Sequence, residues 1–184
     1  MKKLTGATIA TLLLTVTLIG CSSTPDAVPS LSEQKPLVVF LVRHGEKVDL
    51  SEDPELSAAG RERAAVLAST LRSAQIEYVH SSDFIRTRDT AAPTATDHGL
   101  EVEQYNPGDL STLVEKLRRT GGRHLVVGHS TTTPAMVELL GGSPISEINE
   151  LGEFDRLYIV TIGRDGSASS VMMRYGKAFD PEQN

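Results

Sequence analysis

Two histidines in this chain each follow an apolar run of strand length and stand beside residues suited to phosphate chemistry. The run LVVFLV leads into Arg43 and His44, and Gly45 then lets the backbone turn sharply. The run HLVVG ends directly before His129. A guanidinium can bind a phosphoryl dianion through two N–H groups, and a neutral imidazole held by a backbone acceptor can attack phosphorus. These residues therefore predict phosphoryl transfer through a covalent phosphohistidine.

A further arginine lies in the segment SDFIRTRDTA (82–91), which begins a predicted helix. Arg86 and Arg88 are two residues apart, and such side chains on a helix point about 200° away from one another. Only one of them can therefore face a small phosphate pocket. Two arginines and a histidine would neutralise the phosphoryl oxygens without a metal, and no cluster in the sequence has metal-ligand spacing. We expect neither a metal nor another cofactor.

Each of these residues also has an ordinary structural interpretation. His44 could be a strand-end histidine satisfied by the backbone, and His129 could cap a helix. Arg86 and Arg88 could be solvated arginines on an exposed helix face. The occurrence of all the motifs together argues against these interpretations. The remaining histidines have no motif around them and are predicted to be structural or surface residues: His80, His98 and His124.

The elements that must position these residues alternate along the chain. Strands are predicted at 37–42, 76–80, 100–105, 124–128, 156–162 and 168–174, and helices at 57–74, from 82 or 83 onwards, at 110–119 and after 130. This alternation predicts a three-layer α/β/α sandwich with a mostly parallel central sheet, and the last two strands predict an antiparallel edge. Ligands bind beyond the carboxyl ends of the strands in such sheets, which is where both histidine motifs fall.

Four motifs, LVRHGE (41–46), LSAAG (56–60), SDFIRTRDTA (82–91) and VVGHS (126–130), occur in this order. Together they resemble the first branch of the histidine phosphatase superfamily, which includes phosphoglycerate mutases and short phosphohistidine phosphatases. The resemblance covers 37 to about 174. It implies a phosphoglycerate mutase-like fold, with His44 as nucleophile, Arg43 and Arg86 as phosphate-binding residues, and His129 as a second catalytic histidine, protonated beside a bound dianion. It places Arg88 at a variable position.

The resemblance implies a metal-independent phosphatase acting on phosphomonoesters or phosphoramidates. Many members of this branch protonate the leaving group from a glutamate between the second arginine and the second histidine. Glu103 and Asp109 are candidates here, although Glu101 and Glu103 could equally form the solvent face of an edge strand. Without a positioned acid, the best substrates would have leaving groups that need little protonation.

Two alternative functions stay open. A phosphoglycerate mutase-like phosphotransferase is disfavoured, because the segment between Arg86 and His129 is too short to hold the cap of the mutases, so the pocket should be open. The non-enzymatic alternative is an envelope protein that binds phosphate without catalysis. The expected partner is a phosphorylated small molecule or a phosphoprotein.

The N-terminal segment predicts export. Lys2 and Lys3 precede an apolar run that ends in LIGC, which resembles a bacterial lipoprotein signal with Cys21 as the lipidated residue. Ser22 favours the outer membrane over the inner one. The alternatives are a spare thiol or an uncleaved signal anchor. The predicted organisation is a signal peptide at 1–20, a lipidated tether at 21–36, a histidine phosphatase domain at 37–176 and a tail at 177–184.

Composition supports one soluble domain held to a membrane by its anchor. The chain has 184 residues, of which 39% are hydrophobic and 23% are charged, and its net charge is −6. Signal cleavage would remove Lys2 and Lys3 and make the mature chain more negative. Nucleic acid is therefore excluded as an expected partner. The sequence leaves the oligomeric state and the physiological substrate open.

Overall fold

A computed structural model describes residues 35–182 of the chain. The predicted signal peptide, Cys21 and all but the last two residues of the predicted tether lie outside the described residues. No helix between residues 35 and 182 is long and apolar enough to cross a membrane.

The elements alternate as the sequence pattern predicts. In chain order they are β1 (Leu37–Arg43), α1 (Ala58–Leu71), β2 (Tyr78–Ser82), α2 (Ile85–His98), β3 (Val102–Tyr105), α3 (Leu110–Thr120), β4 (Gly122–Gly128), α4 (Thr132–Leu139), β5 (Arg156–Ile162) and β6 (Ala168–Arg174). The helix predicted from Ser82 or Asp83 begins later, at Ile85. The reason is that β2 continues through Ser82 and Phe84 keeps an extended backbone as the N-cap of α2.

The six strands form one sheet in the order β3-β2-β4-β1-β5-β6. The first four of these are parallel, whereas β5 is antiparallel to β1 and β6 is antiparallel to β5. The prediction of a mostly parallel sheet with an antiparallel edge is confirmed. Strand β1 lies next to β4, so the carboxyl ends of these two strands meet at one edge of the sheet.

Helices cover both faces of this sheet, as the predicted three-layer sandwich requires. On one face, α1 and α2 contribute Leu67, Leu71 and Ala91 to a core shared with Val42 of β1. On the other, α3 and α4 contribute Leu113, Leu117, Met136 and Val137 to a core shared with Leu41. Successive residues of a strand point to opposite faces, which is why the unbroken apolar run of β1 feeds both cores.

Candidate active site

His44 and His129 come together at the carboxyl ends of β1 and β4. The backbone N–H of His44 donates to the carbonyl of Gly128 at 2.9 Å, which extends the pairing of the two strands by one residue. The imidazole rings meet edge to face with their centroids 5.5 Å apart. The predicted nucleophile and the predicted second histidine therefore occupy one site.

Hydrogen bonding fixes the tautomer of His44. Its Nδ1 lies 2.7 Å from the carbonyl oxygen of Gly45, and because a carbonyl only accepts, Nδ1 must carry the proton. Burial lowers the pKa of the ring to about 2, outweighing the hydrogen bond to Gly45 that favours the protonated form. At neutral pH, His44 is therefore neutral, with an unprotonated Nε2.

Two glycines hold the loop after His44 tightly against the start of α1. A Cβ on Gly45 would lie 2.8 Å from the carbonyl oxygen of Gly60, and a Cβ on Gly60 would lie 2.2 Å from the carbonyl oxygen of Glu46. The Ser57 side chain accepts from the Gly60 N–H and caps α1. This contact explains why the LSAAG segment accompanies the histidine motif: it packs behind His44 and fixes its backbone.

Hydroxyl groups orient His129. Its Nε2 lies 2.9 Å from Ser82 Oγ at the end of β2, and its backbone N–H donates to Thr132 Oγ1 at 2.9 Å. Burial, together with the positive charges of Arg86 and Arg43, lowers the pKa of His129 to about 4. His129 is therefore neutral at neutral pH when no anion is bound. A dianion beside it would raise this pKa towards the protonated form that we predicted for the occupied site.

Arg86 and Arg88 have different surroundings. Arg86 lies in the first turn of α2 with its guanidinium 4.4 Å above the Phe84 ring, and its side chain is only 12% exposed. Its charge lowers the pKa of both His44 and His129, whereas Arg88 pairs with Asp83. The structure thus brings Arg86, and not Arg88, close to the two histidines.

Asp53 reaches α2 from a loop far away in the sequence. Its Oδ1 accepts from the backbone N–H of Ile85 at 2.9 Å and lies 3.4 Å from Arg86 Nη1. One carboxylate therefore caps the helix and contacts the arginine. Phe84, the N-cap residue, makes no side-chain capping bond, which leaves this role to Asp53.

Arg43 is buried to 1% exposure and is held mainly by carbonyl groups. Its Nη1 donates to Asn149 O and Glu153 O at 2.9 and 3.0 Å, and its Nη2 donates to Glu150 O at 2.7 Å. The terminal nitrogens of Arg43 are therefore engaged by the protein. The buried Nε of Arg43 has no hydrogen-bond partner in the protein, and the buried Nε of Arg86 has none either.

Glu150 is a second acidic residue at this site, in addition to Asp53, and the sequence motifs do not predict it. Its carboxylate accepts from Ser130, next to His129, and lies 3.3 Å from Arg43 Nη2. Its charge influences the pKa values of Arg43, Arg86 and His129. Glu150 belongs to a segment, 141–155, that has no regular hydrophobic period, so periodicity could not locate it.

The two acids considered from the sequence are engaged elsewhere. Glu103 pairs with Lys116 and lies 3.4 Å from His80 Nδ1, on a strand separated from β1 by two others. At about 4.8 Å per strand, this places it roughly 14 Å to the side of β1. Asp109 caps α3, accepting from the Thr112 N–H at 3.2 Å. Neither contacts His44 or His129.

Within residues 35–182, no group of three or more histidine, cysteine, aspartate or glutamate side chains is arranged to hold a metal ion. The positive charge at the site comes instead from Arg43 and Arg86, which lie beside the two neutral rings. This donor set suits an anion.

Comparison with known proteins gives a family for part of the chain. Residues 39–106 match the histidine phosphatase superfamily (branch 1). The protein named "Probable phosphoglycerate mutase GpmB" of Yersinia enterocolitica is 38% identical over 89 residues. This alignment spans 41% of the chain and 41% of that relative.

Solved structures share the fold over a larger part of the chain. The protein histidine phosphatase SixA, complexed with tungstate, superposes with a TM-score of 0.60 at 21% identity and covers 75% of this chain and 97% of that one. Phosphoglycerate mutase from Bacillus anthracis superposes with a TM-score of 0.60 at 15% identity, and the alignment covers 79% of this chain and 95% of that one. Residues 39–106 thus carry a match to the histidine phosphatase superfamily (branch 1), within an α/β fold shared with a protein histidine phosphatase and a phosphoglycerate mutase.

Proposed function

We propose that this protein is a phosphatase that hydrolyses phosphomonoesters or phosphoramidates through a phosphohistidine on His44. The observation that carries the proposal is the state of His44. Its ring is neutral, its Nδ1 proton is committed to the Gly45 carbonyl at 2.7 Å, and its Nε2 lone pair is left for attack. Arg43 and Arg86 supply positive charge beside this ring.

In the first step, the Nε2 lone pair attacks phosphorus and forms a P–N bond. The bond from phosphorus to the leaving oxygen or nitrogen breaks, and its electron pair goes to the leaving atom, which takes up a proton from water. The unpartnered Nε–H groups of Arg43 and Arg86 are available to the equatorial oxygens. His129, whose pKa rises beside the dianion, donates a further hydrogen bond to these oxygens.

In the second step, water attacks the phosphohistidine. A P–O bond forms, the P–N bond breaks, and its electron pair returns to Nε2. The water gives up one proton, so that the products are inorganic phosphate and neutral His44. No metal enters either step, and activity should therefore persist in EDTA.

The second candidate is a phosphotransferase that passes the phosphoryl group to another hydroxyl instead of water. The 38% identity to the Yersinia relative favours it. The two reactions share the first step and differ in the acceptor. Release of inorganic phosphate in the absence of any acceptor alcohol would support the phosphatase, and turnover that requires an added alcohol would support the transferase.

Export and anchoring form a separate part of the proposal that rests on the sequence alone. The order of Lys2, Lys3, the apolar run and Cys21 supports lipidation of Cys21. The catalytic domain would then act outside the cytoplasm, held at the membrane by acyl chains.

The experiment that tests the function combines turnover with trapping. The purified protein is mixed with phenyl phosphate in EDTA, and phosphate release is followed over time. A rapid acid-free quench of the same reaction with a ³²P-labelled substrate should leave acid-labile, base-stable label on the protein. His44→Ala should lose both signals while its circular dichroism stays unchanged. Label that persists in His44→Ala would refute the assignment, and activity lost in EDTA and regained with a divalent cation would refute the metal-free mechanism.

A further inference from the structure

A cavity of about 930 Å³ is lined by Ser130 and Glu150, two residues that border the site. It lies between α4 and the segment 143–150. Its wall includes Ser130, which follows His129, and Glu150, whose carboxylate lies 3.3 Å from Arg43 Nη2. The cavity is thus joined to the phosphate-binding side chains by these two residues.

This cavity is a neighbour of the phosphate site and not the phosphate site itself. His44, Arg86 and His129 are not among the residues that line it. A volume of this size matches pockets that hold drug-sized ligands and far exceeds a phosphoryl group. The cavity is therefore large enough to hold the part of a substrate that carries the phosphoryl group.

Buried side chains hold one wall of the cavity in place. Arg156 donates to the carbonyls of Ser146 and Glu147 at 2.8 and 2.9 Å, and Tyr158 donates to the carbonyl of Pro144 at 2.9 Å. Arg43 holds the next carbonyls of the same segment. The wall therefore keeps its shape before any ligand binds, which reduces the ordering cost of binding.

The wall of the cavity combines apolar side chains with carboxylate side chains. Its apolar residues include Pro134, Ile145 and Ile148, and its charged residues are Glu138, Glu147 and Glu150. Ile145 is 68% exposed and has a φ of 71°, a costly conformation for a β-branched residue. The structure therefore keeps an apolar side chain at the cavity against both its conformational preference and its tendency to be buried.

These charges discriminate between possible leaving groups. Three carboxylates and no lysine or arginine line the cavity, so a carboxylate or a second phosphate on the leaving group would be repelled. A leaving group with an apolar body would cover the proline and isoleucine side chains. An amine on that body would lie among carboxylates.

We propose that this cavity binds the leaving group of the substrate and selects small phosphomonoesters of apolar, amine-bearing alcohols over anionic ones. The proposal rests on the proposed function, because it takes the phosphoryl group to lie at His44. It assigns the two ends of the substrate to opposite charges: the phosphoryl end to the arginines and the amine end to the carboxylates of the cavity.

Binding of non-hydrolysable phosphonates tests the proposal without requiring turnover. Three phenylphosphonates carry a 3-(2-aminoethyl), a 3-propyl or a 3-(2-carboxyethyl) group, which differ in charge at nearly equal size. Titration calorimetry on the purified protein should give the tightest Kd for the amine and the weakest for the carboxylate, with at least a tenfold ratio between them. Separate measurement of phenyl phosphate turnover keeps a failure of catalysis distinct from a failure of this selectivity.

Charge reversal on the cavity wall supplies the decisive comparison. Glu147→Lys and Glu138→Lys change exposed side chains and should each reduce the ratio of the two Kd values severalfold. Glu62→Lys alters the net charge equally on α1, which packs on the opposite face of the sheet, and should leave the ratio unchanged. Equal Kd values for the three phosphonates in the unmodified protein would overturn the proposal. The proposal would also be overturned if Glu62→Lys reduced the ratio of the Kd values as much as Glu147→Lys does. That result would mean that the net charge of the protein, and not the cavity, sets the preference.

Discussion

Removal of Arg86 should cost most of the catalytic rate, and removal of its neighbour Arg88 should cost little. Arg86 is 12% exposed, its charge influences both histidines, and its buried Nε has no protein partner. An anion would supply that partner. Losing one charge-assisted contact to a transition state costs about 3–4 kcal/mol, which corresponds to a fall in kcat/KM of about 10²–10³-fold.

Arg88→Ala is the matched control because it removes the same side chain two residues further along the helix. Arg88 is 38% exposed and pairs with Asp83, whose side chain is 65% exposed. Surface pairs of this kind contribute at most about 1 kcal/mol to stability. We therefore expect kcat/KM of Arg88→Ala to stay within about threefold of the unmodified protein.

Steady-state kinetics with phenyl phosphate on both variants is the assay, and NMR titration of His129 provides a second readout. The charge of Arg86 lowers the pKa of His129, so this pKa should rise above about 4 in Arg86→Ala and stay near about 4 in Arg88→Ala. Arg86→Lys keeps the charge but loses the planar fork, and an intermediate rate is expected. A larger loss for Arg88 than for Arg86 would refute the placement of this helix.

Three further predictions concern the anchor, the site charge and acid stability. Cys21→Ser should abolish fatty-acid labelling of the protein in cells, and equal labelling would exclude this anchoring site. Glu150→Gln should strengthen inhibition by vanadate about two- to fivefold, since it removes one exposed negative charge beside Arg43; weaker inhibition would contradict the charge argument. Burial lowers the pKa of His80 from its usual 6.5 to about 4, so the unfolded chain binds more protons in this range and stability should fall by about 3 kcal/mol between pH 6.5 and 4. Urea unfolding at several pH values should show this fall, and His80→Gln should reduce it; an equal pH slope in the variant would contradict this origin.

Local sequence patterns determined most of the fold. Strands β1 and β5 were predictable because each carries a nearly unbroken apolar run of strand length. Ser57 was predictable as the α1 cap because capping depends on residues within one turn. The end of β2 was not predictable from its own residues, because pairing with β3 and β4 extends this strand to Ser82.

The site was predictable only where a motif holds its residues together. His44 and His129 fall at strand ends, which hydrophobic runs reveal. Arg43 contacts Asn149 and Glu153, which lie 106 and 110 residues away in the sequence. Asp53 contacts Ile85, which lies 32 residues away. No local pattern encodes such contacts. The cavity wall at 143–150 likewise depends on Arg156 and Tyr158 beneath it, so it emerged only from the three-dimensional arrangement.

Buried arginines at the site and buried arginines elsewhere in the domain differ in the groups that balance their charge. Arg63 and Arg156 are both nearly fully buried, and each lies 2.7 Å from a carboxylate, on Glu46 and Glu153 respectively. Such pairs cancel the charge that they bury. Arg43 is buried as deeply, but carbonyl dipoles satisfy its terminal nitrogens, and its nearest carboxylate, Glu150, is 61% exposed.

Carbonyl groups stabilise a guanidinium without neutralising it, so the charge of Arg43 remains available to a ligand. Its effect is visible in the absence of an anion, because it lowers the pKa of both His44 and His129. A half-buried carboxylate bonded through two guanidinium nitrogens, as Glu46 is to Arg63, would cancel more of this field than the exposed Glu150 does. Burial of its own ring is the main reason that His44 stays unprotonated for attack, and the charge of Arg43 adds to this effect and keeps the pocket positive for its substrate.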